Sequence, residues 1–397
     1  MRPDRAGLLL LTLLSAVSGA GAQASQFNVR GLGLPGREES ARTLSLGGAI
    51  GLFDGESSRN PAALATLTNA TALFTSTGDW RSTTNPSGTL SGRDTRFPQV
   101  LIGGPIPHHP FAIAASYSLY SDRDFTVVSN TTAAPRGIDV PVHDTLSSRG
   151  GIDDLRFGAS WAASTRLAVG AAIHLYSGSN RLASRRYWED TSYLAPQETA
   201  ELSYAATGVS LGFVWQPLPL VQVAGTWQHA GALGVERDST GNGQVLFPTA
   251  TIGSVPMPTT VAAALRLAPS RRLAISAAVT LENWSVADSS LRAQGAPGAR
   301  NSRELNAGLE FFRDTRRPLK YPIRLGVRYS TLPFLLTTQQ PSEFGIAVGT
   351  GRRFAQERGG FDIAIEHVWR SGGVGYHESA TLITVGISVR PVSTAGR

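Results

Sequence analysis

The chain has no cysteine among its 397 residues, which excludes disulfide bonds and thiolate metal sites. It also lacks long hydrophobic runs, because arginine, aspartate, glutamine, serine or glycine interrupts every apolar stretch beyond the N-terminus within a few positions. A membrane-spanning helix needs about 20 consecutive apolar residues, so none is predicted. Charged residues make up 16%, against roughly 25% in ordinary globular proteins. This scarcity suits a surface that faces something other than water.

The first 24 residues are typical of a secretory signal peptide. Arg2 and Arg5 precede an apolar stretch, which ends in small residues and the tripeptide Ala22-Gln23-Ala24. The apolar stretch is about half as long as a spanning helix requires. We therefore predict a signal peptide over residues 1–24 and a mature chain that begins near Ser25. No linker or shift in composition divides the rest of the chain, which predicts one barrel domain with its N-terminal segment.

From residue 69 onward, apolar residues recur with a period of two, which favours strands over helices. The clearest stretch is 321–330. Its apolar side is formed by Ile323, Leu325, Val327 and Tyr329, and its charged or small side by Arg324, Gly326, Arg328 and Ser330. This pattern predicts about 14 strands. They lie near 69–79, 97–104, 110–121, 151–162, 166–178, 200–215, 218–230, 257–268, 271–286, 302–313, 321–333, 341–354, 359–370 and 378–390.

The connections between the predicted strands alternate between short and long. Long loops are expected at 122–150, 179–199, 231–256 and 287–301, whereas the intervening turns span only a few residues. Outer-membrane barrels have this asymmetry, with short periplasmic turns and long external loops. We therefore predict an all-β fold, a transmembrane antiparallel β-barrel over residues 69–397, with both termini periplasmic. Aromatic girdles at its two rims are expected from Trp80, Trp161, Trp188, Trp215, Trp284 and Trp369.

Three enzyme-like motifs occur in unsuitable contexts. Residues 31–36 match the dinucleotide pattern G-x-G-x-x-G, but no strand precedes them and Pro35 interrupts the pattern. Residues 208–212 match G-x-S-x-G, yet they lie within continuous alternation, so Ser210 is predicted to be a small lumen-facing residue. The pair His108-His109 has no metal-ligand spacing. We therefore expect no enzyme, no cofactor and no metal site.

The chain is basic, with a sequence pI near 10.1. Its arginines are scattered, and the few arginine pairs fall in or beside predicted turns and loops. This pattern favours solvated barrel ends over a nucleic-acid site, and such ends could meet anionic lipopolysaccharide. A second set of charges lies on the polar faces of late strands: Glu310, Arg324, Arg328, Asp362, Glu366 and Arg390. A barrel interior must pair or hydrate such charges, so we expect a structural salt-bridge lattice; the alternative is a substrate path.

About 44 residues, 25–68, separate the predicted cleavage site from the first strand, which is enough to fold back into the lumen as a plug. Here the sequence resembles the FadL-type family of outer-membrane transporters for long-chain fatty acids and other hydrophobic compounds. The matching motifs are Gly47-Gly48-Ala49, Asp54, Asn60-Pro61-Ala62 and the late stretch 324–329 followed by Pro333. Arg59 stands where the family usually has a bulky aromatic residue. The related PorV-type barrels of secretion systems share the front motif.

The resemblance implies a 14-stranded barrel in the bacterial outer membrane, with an N-terminal hatch over residues 25–68 and passive transport of hydrophobic molecules. The ligand, fatty acid-like, would bind beside the hatch and leave sideways near a strand kink. Asn60 and Pro61 would shape the hatch, and Asp54 would anchor it to a lumen arginine. Outer-membrane lipids, lipopolysaccharide and the barrel-assembly machinery are the expected partners.

Two other functions remain open at this point. A structural or secretion-accessory barrel would use its loops to bind a partner protein. An outer-membrane hydrolase would need a serine, histidine and acid set at the lipid face, and the sequence shows none.

Overall fold

The alternating stretch folds into a closed, antiparallel barrel of 14 strands, as predicted. This computed structural model describes residues 25–86, 88–134, 137–190, 192–241, 253–293, 296–336 and 338–391. The predicted signal peptide lies outside the described residues. The strands are β1 Thr71–Asn85, β2 Gly88–Arg96 and Gln99–Pro105, β3 Phe111–Asp122 and Phe125–Ala133, β4 Val140–Ala162, β5 Leu167–Trp188, β6 Gln197–Leu218, β7 Val221–Ala230 and Leu233–Gly241, β8 Ser254–Val255 and Thr260–Ser270, β9 Leu273–Glu282, β10 Ser302–Phe311, β11 Ile323–Thr331, β12 Ser342–Phe354, β13 Gly359–Ser371 and β14 His377–Val389.

Each strand pairs with the next along the chain, and the last pairs with the first, where Val389 lies opposite Ala72. Closure leaves no strand edge along this seam, so the backbone groups of β1 and β14 are paired with one another. The register of β3 against β4 shifts between Leu119 and Ser121, just before β3 is interrupted. Register also shifts between Val221 and Val223 of β7 and between Leu267 and Ser270 of β8, so β3 is one of several irregular places in the wall.

The two faces of each strand meet different surroundings, as the period of two requires. On β11, Ile323, Leu325 and Val327 point outward and are 44–49% exposed, whereas Arg324 and Arg328 point inward and are buried. Apolar side chains thus cover the outside of the wall, while charged and small side chains fill the inside. This arrangement is the reverse of a soluble protein and is typical of a membrane barrel.

Several predicted boundaries were wrong because strands continue where the hydrophobic alternation stops. The predicted loops 122–150 and 179–199 consist largely of strand, since β4 begins at Val140 and β5 runs to Trp188. The outward face of these extensions carries polar residues such as His143, Ser147 and Arg185, while the backbone ladder continues between Val142 and Trp188. Hydrophobic periodicity therefore marks the lipid-facing part of each strand and misses its extension.

The tryptophans divide into two groups. Trp80, Trp161, Trp215 and Trp369 point outward and are 42–47% exposed. The expectation for Trp284 was wrong, because only 3% of it is exposed and it lies inside the barrel. It begins a short 3₁₀ helix, Trp284–Ala287, after β9, and this turn carries the ring inward.

The helices are short and belong mainly to the N-terminal segment, residues 25–68. They are the 3₁₀ helices Gln26–Val29, Pro61–Thr66 and Trp284–Ala287, and the α-helices α1 Ala41–Leu44 and α2 Asp288–Ala293. In the part of the chain that the structure describes, no helix is long and apolar enough to span a membrane.

The N-terminal segment packs against inward-facing residues on several sides of the barrel. Its two-residue strand Leu34–Pro35 pairs with Asp122 and Ser121 of β3. The α1 helix lies against β12, β13 and β14, and Pro61–Thr66 lies against β4, β5 and β6. The segment therefore crosses the lumen from one wall to another.

Candidate functional site

The Gly47-Gly48-Ala49 motif lies where the N-terminal segment touches the wall most closely. Gly47 and Gly48 adopt positive φ angles of 64° and 93°, which favour glycine. A β-carbon built on Gly326 of β11 would lie only 2.1 Å from the Gly47 nitrogen, so the two backbones touch directly. Asn306 Nδ2 donates a hydrogen bond to Gly47 O at 2.5 Å, and Ala49 is fully buried. Backbone contact at this point requires glycine on both sides.

The Asn60-Pro61-Ala62 motif makes a second contact with the wall. Asn60 is fully buried and caps the 3₁₀ helix Pro61–Thr66, because its Oδ1 accepts a hydrogen bond from Ala62 N at 3.0 Å. Its Nδ2 donates to Leu52 O within the segment and to Phe213 O of β6, at 2.8 and 3.1 Å. Pro61 is the first residue of the helix, where its missing N–H costs nothing. Asn60 thus joins the helix cap to the wall.

Among the residues that the structure describes, Asp54 forms no ion pair with a lumen arginine, so the predicted anchor is wrong. Its Oδ2 accepts hydrogen bonds from Ser40 Oγ at 2.6 Å and Thr43 Oγ1 at 3.0 Å, and its Oδ1 accepts one from Glu56 N. Nearby hydroxyl and amide donors satisfy this carboxylate within the N-terminal segment. Asp54 therefore holds α1 and the following turn together.

Glu56, two residues later, is the acid that binds lumen arginines. It forms ion pairs with Arg353 of β12, at 3.3 Å, and with Arg390, which follows β14. Burial raises the pKa of Glu56, although Arg353 opposes that rise. Sequence reasoning chose Asp54 through the family motif and could not distinguish it from a neighbouring acid.

The late-strand charges form one network with the N-terminal segment. Glu310 of β10 contacts Arg324 at 3.0 Å, Arg42 of α1 at 3.1 Å and Arg266 at 3.4 Å. Arg324 also contacts Asp362 at 2.6 Å, and Asp362 contacts Arg353 at 2.9 Å. Burial lowers the pKa of Arg42, but Glu310, Asp54 and Asp362 together outweigh that effect and the pKa is raised. Arg42 therefore remains charged within the lattice.

A second group of ion pairs ties the other side of the N-terminal segment to the wall. Arg37 bridges Glu39 at 3.0 Å and Glu366 of β13 at 2.5 Å. Glu366 also contacts Arg328 of β11 at 3.1 Å. Arg59 contacts Glu39 and Glu304. Arg59 thus joins the N-terminal segment to β10 by an ion pair.

A lumen cavity of about 170 Å³ lies between residues 32–39 of the N-terminal segment and the wall of β3 and β7 to β14. One side is apolar and aromatic, formed by Leu32, Leu34, Tyr120, Trp284, Leu332 and Phe334. Trp284 and Phe334 pack edge to face at 4.9 Å, and Trp284 Nε1 donates to Glu282 Oε2 at 2.9 Å. Sequence reasoning missed this side, because its residues come from separate places: the N-terminal segment, β3 and the stretches that follow β9 and β11.

Glu38 lies on the polar side of the lumen cavity. Among the residues that the structure describes, its carboxylate has no ion-pair or hydrogen-bond partner. Burial raises the pKa of Glu38 to about 8, with Asp154 as the next cause. Sequence reasoning did not single out Glu38, because it is one of several charges in the run Arg37-Glu38-Glu39.

Ser210 faces the lumen, and the structure places it beside a histidine and an acid. Its Oγ lies 2.9 Å from His174 Nε2, and His174 Nδ1 lies 2.7 Å from Asp154 Oδ2. All three residues are at most 2% exposed. Ser210 lies within a strand that is paired on both sides, so the ladder engages the backbone N–H groups around it. An oxyanion hole needs free donors, and the paired backbone around Ser210 leaves none there. The three side chains link β4, β5 and β6 through hydrogen bonds.

The fold can be compared with known proteins. No protein-family model matches this sequence, and no curated protein matches it. Among solved structures, a FadL homologue from Pseudomonas aeruginosa is similar, with a TM-score of 0.61 and 12% identity over 90% of this chain and 99% of that chain. The toluene transporter TodX from P. putida gives a TM-score of 0.57, with 12% identity over 91% of this chain and 100% of that chain. CymD, described as a monoaromatic hydrocarbon channel, gives a TM-score of 0.55, with 12% identity over 93% of this chain and 100% of that chain.

Proposed function

We propose that this chain, which has the fold of FadL-type outer-membrane transporters, lets small hydrophobic compounds cross a bacterial outer membrane passively. The observation that carries the proposal is a lumen filled by the N-terminal segment and left with a cavity that has an apolar, aromatic side. An apolar solute crosses a polar lipopolysaccharide leaflet poorly, so a conduit with an apolar pocket lowers that barrier. Each buried methylene contributes about 0.8 kcal/mol, so no energy source is needed for entry.

The N-terminal segment would act as the hatch. Its contacts with the wall include backbone packing on glycines, buried ion pairs, the hydrogen bond of Asn60 to Phe213 O and the strand pairing of Leu34–Pro35. Gly47, Gly48, Ala49, Asn60, Pro61 and Ala62 would set its shape, and Asp54 would hold its internal turn. The late-strand charges would hold it in place, with no direct role in binding an apolar solute.

Release would take place sideways through the wall at β3. The strand is interrupted after Asp122, its register against β4 shifts near Leu119, and Leu34–Pro35 of the N-terminal segment pairs there. Movement of that short strand would uncover the interrupted part of β3. A solute leaving here would enter the membrane without crossing water.

The ligand class follows in outline from the fold. Two of the similar structures are described as a toluene transporter and a monoaromatic hydrocarbon channel. Long-chain fatty acids are the other class that the resemblance implies. We place the barrel in the outer membrane with both termini periplasmic, so that its outer rim meets lipopolysaccharide and the barrel-assembly machinery inserts it.

Mass spectrometry of small molecules retained after purification in a mild detergent tests the proposal. Wild-type protein should retain fatty acids or hydrocarbons, and an Asn60→Ala, Pro61→Ala variant should lose them, because the helix cap and its contact with β6 are gone. The matched control is Asn283→Ala, since Asn283 precedes a 3₁₀ helix without making a side-chain cap. An empty wild-type barrel would contradict the proposal.

A further inference from the structure

The lumen cavity has the size of a single aromatic ring. Its volume is about 170 Å³, close to the roughly 150 Å³ of an apolar cavity that binds benzene. A long acyl chain would need the N-terminal segment to move before it could fit. The edge-to-face pair of Trp284 and Phe334 offers the geometry that aromatic rings prefer around a third ring.

The arginines on the buried side of the lumen cavity already form ion pairs with glutamates of the protein. Arg37 and Arg59 each contact two glutamates, and so does Arg328. Arg370 likewise contacts Glu343 and Glu378. The fifth lining arginine, Arg303, is exposed. A ligand carboxylate would therefore have to take an arginine from an existing pair.

Among the acidic side chains that line the lumen cavity, one has a carboxyl group that a ligand could use as a hydrogen-bond acceptor. Six glutamates line the cavity. Five accept hydrogen bonds or ion pairs from the protein, such as Glu282, which binds Trp284 Nε1 and Ser302 Oγ. The sixth is Glu38, the carboxylate without a partner among the described residues. Glu38 is half-buried and lines the cavity. A ligand that displaces water from it without supplying a donor loses a hydrogen bond, so a ligand that brings a donor is favoured there.

We infer that the lumen cavity binds a neutral one-ring aromatic molecule that carries a hydroxyl group, a phenol, with Glu38 as the acceptor. The inference rests on the proposed function and narrows its ligand class. The ring lies against the aromatic side, and the hydroxyl donates to the Glu38 carboxyl group. An ammonium or a carboxylate would have to shed its hydration to reach the same place, whereas a neutral hydroxyl sheds much less.

Calorimetry on the purified full chain in detergent, with phenol, toluene and benzoate as probes, tests the inference. The three molecules share one ring and differ in one substituent. Phenol should bind wild-type protein, and benzoate should bind at least about tenfold more weakly. In Glu38→Met, which keeps side-chain length and removes the acceptor, phenol affinity should fall about tenfold while toluene affinity holds.

The ratio of phenol to toluene affinity is the decisive readout, because a merely structural role for Glu38 would weaken both ligands alike. Glu38→Gln retains a carbonyl acceptor and should keep part of the ratio, and the exposed Glu236→Gln should keep all of it. An unchanged ratio in Glu38→Met, or benzoate binding tighter than phenol, would overturn the inference. Such a result would leave the proposed function standing if hydrophobic molecules are still retained on purification.

Discussion

Replacing Gly326 by alanine should push the N-terminal segment off the wall. The new β-carbon would lie 2.1 Å from both Gly47 N and Leu46 C, and both are backbone atoms that cannot rotate away. The segment must therefore shift at the turn, where Asn306 also holds it. Overpacking of this kind costs about 1–3 kcal/mol, which corresponds to roughly 5–150-fold more of a displaced state.

Conductance in planar bilayers measures that displaced state, since a lumen without its plug passes ions. Gly326→Ala should open about 5–150-fold more often than wild type. Gly231→Ala is the control, because the nearest neighbour of its β-carbon would be Thr207 O at 3.7 Å. Equal conductance of the two variants, with both barrels folded, would refute the reasoning that glycine contact seats the segment.

Three further predictions concern the ion pairs, the helix cap and pH. Glu310→Gln leaves three arginines without their shared partner and should lower the free energy of unfolding by about 3–5 kcal/mol. Urea titration in micelles measures this change, and the control variant Glu236→Gln should unfold with the wild-type free energy. Asn60→Ala should speed hydrogen exchange over 61–66 by about 5–30-fold, for a loss of about 1–2 kcal/mol, whereas Asn283→Ala should not alter exchange over that stretch. Glu38 has a pKa raised from 4.5 to about 8, so its contribution to stability is complete below pH 4.5 and is lost as the pH rises through about 8. The charged groups that act on it are Asp154, Arg156, Arg59 and Glu282. Urea titrations between pH 6 and 9 should therefore show a decline that Glu38→Gln removes, and a decline of equal size in that variant would count against the assignment.

The barrel could be predicted because each strand meets two different surroundings. The alternation around Arg324 and Arg328 specifies which face is outside, and a shift of one residue would put both charges into lipid. The same logic could not find the strand extensions. Beyond the hydrocarbon the outward face meets water and carries polar residues such as His143 and Ser147, so the apolar alternation that marks the rest of β4 stops there.

The details of the site depend on the path of the N-terminal segment, and local sequence does not contain that path. Asp54 and Glu56 are both acids in one turn, yet only Glu56 points toward Arg353. Trp284 follows β9 and turns inward, whereas the strand tryptophans point outward. Glu38 becomes distinctive only when its neighbours are seen to have partners and it has none among the described residues. These properties arise from long-range contacts.

The most direct test of the account is toluene uptake by proteoliposomes in which the N-terminal segment can be locked to the wall. A β-carbon built on Gly386 would lie 3.1 Å from Ala41 Cβ, so a disulfide between Ala41→Cys and Gly386→Cys needs a shift of only a few tenths of an ångström. The chain has no other cysteine to interfere. The account predicts that the oxidised variant admits toluene no faster than empty liposomes and that reduction restores uptake. Equal uptake in the oxidised and reduced states would contradict it.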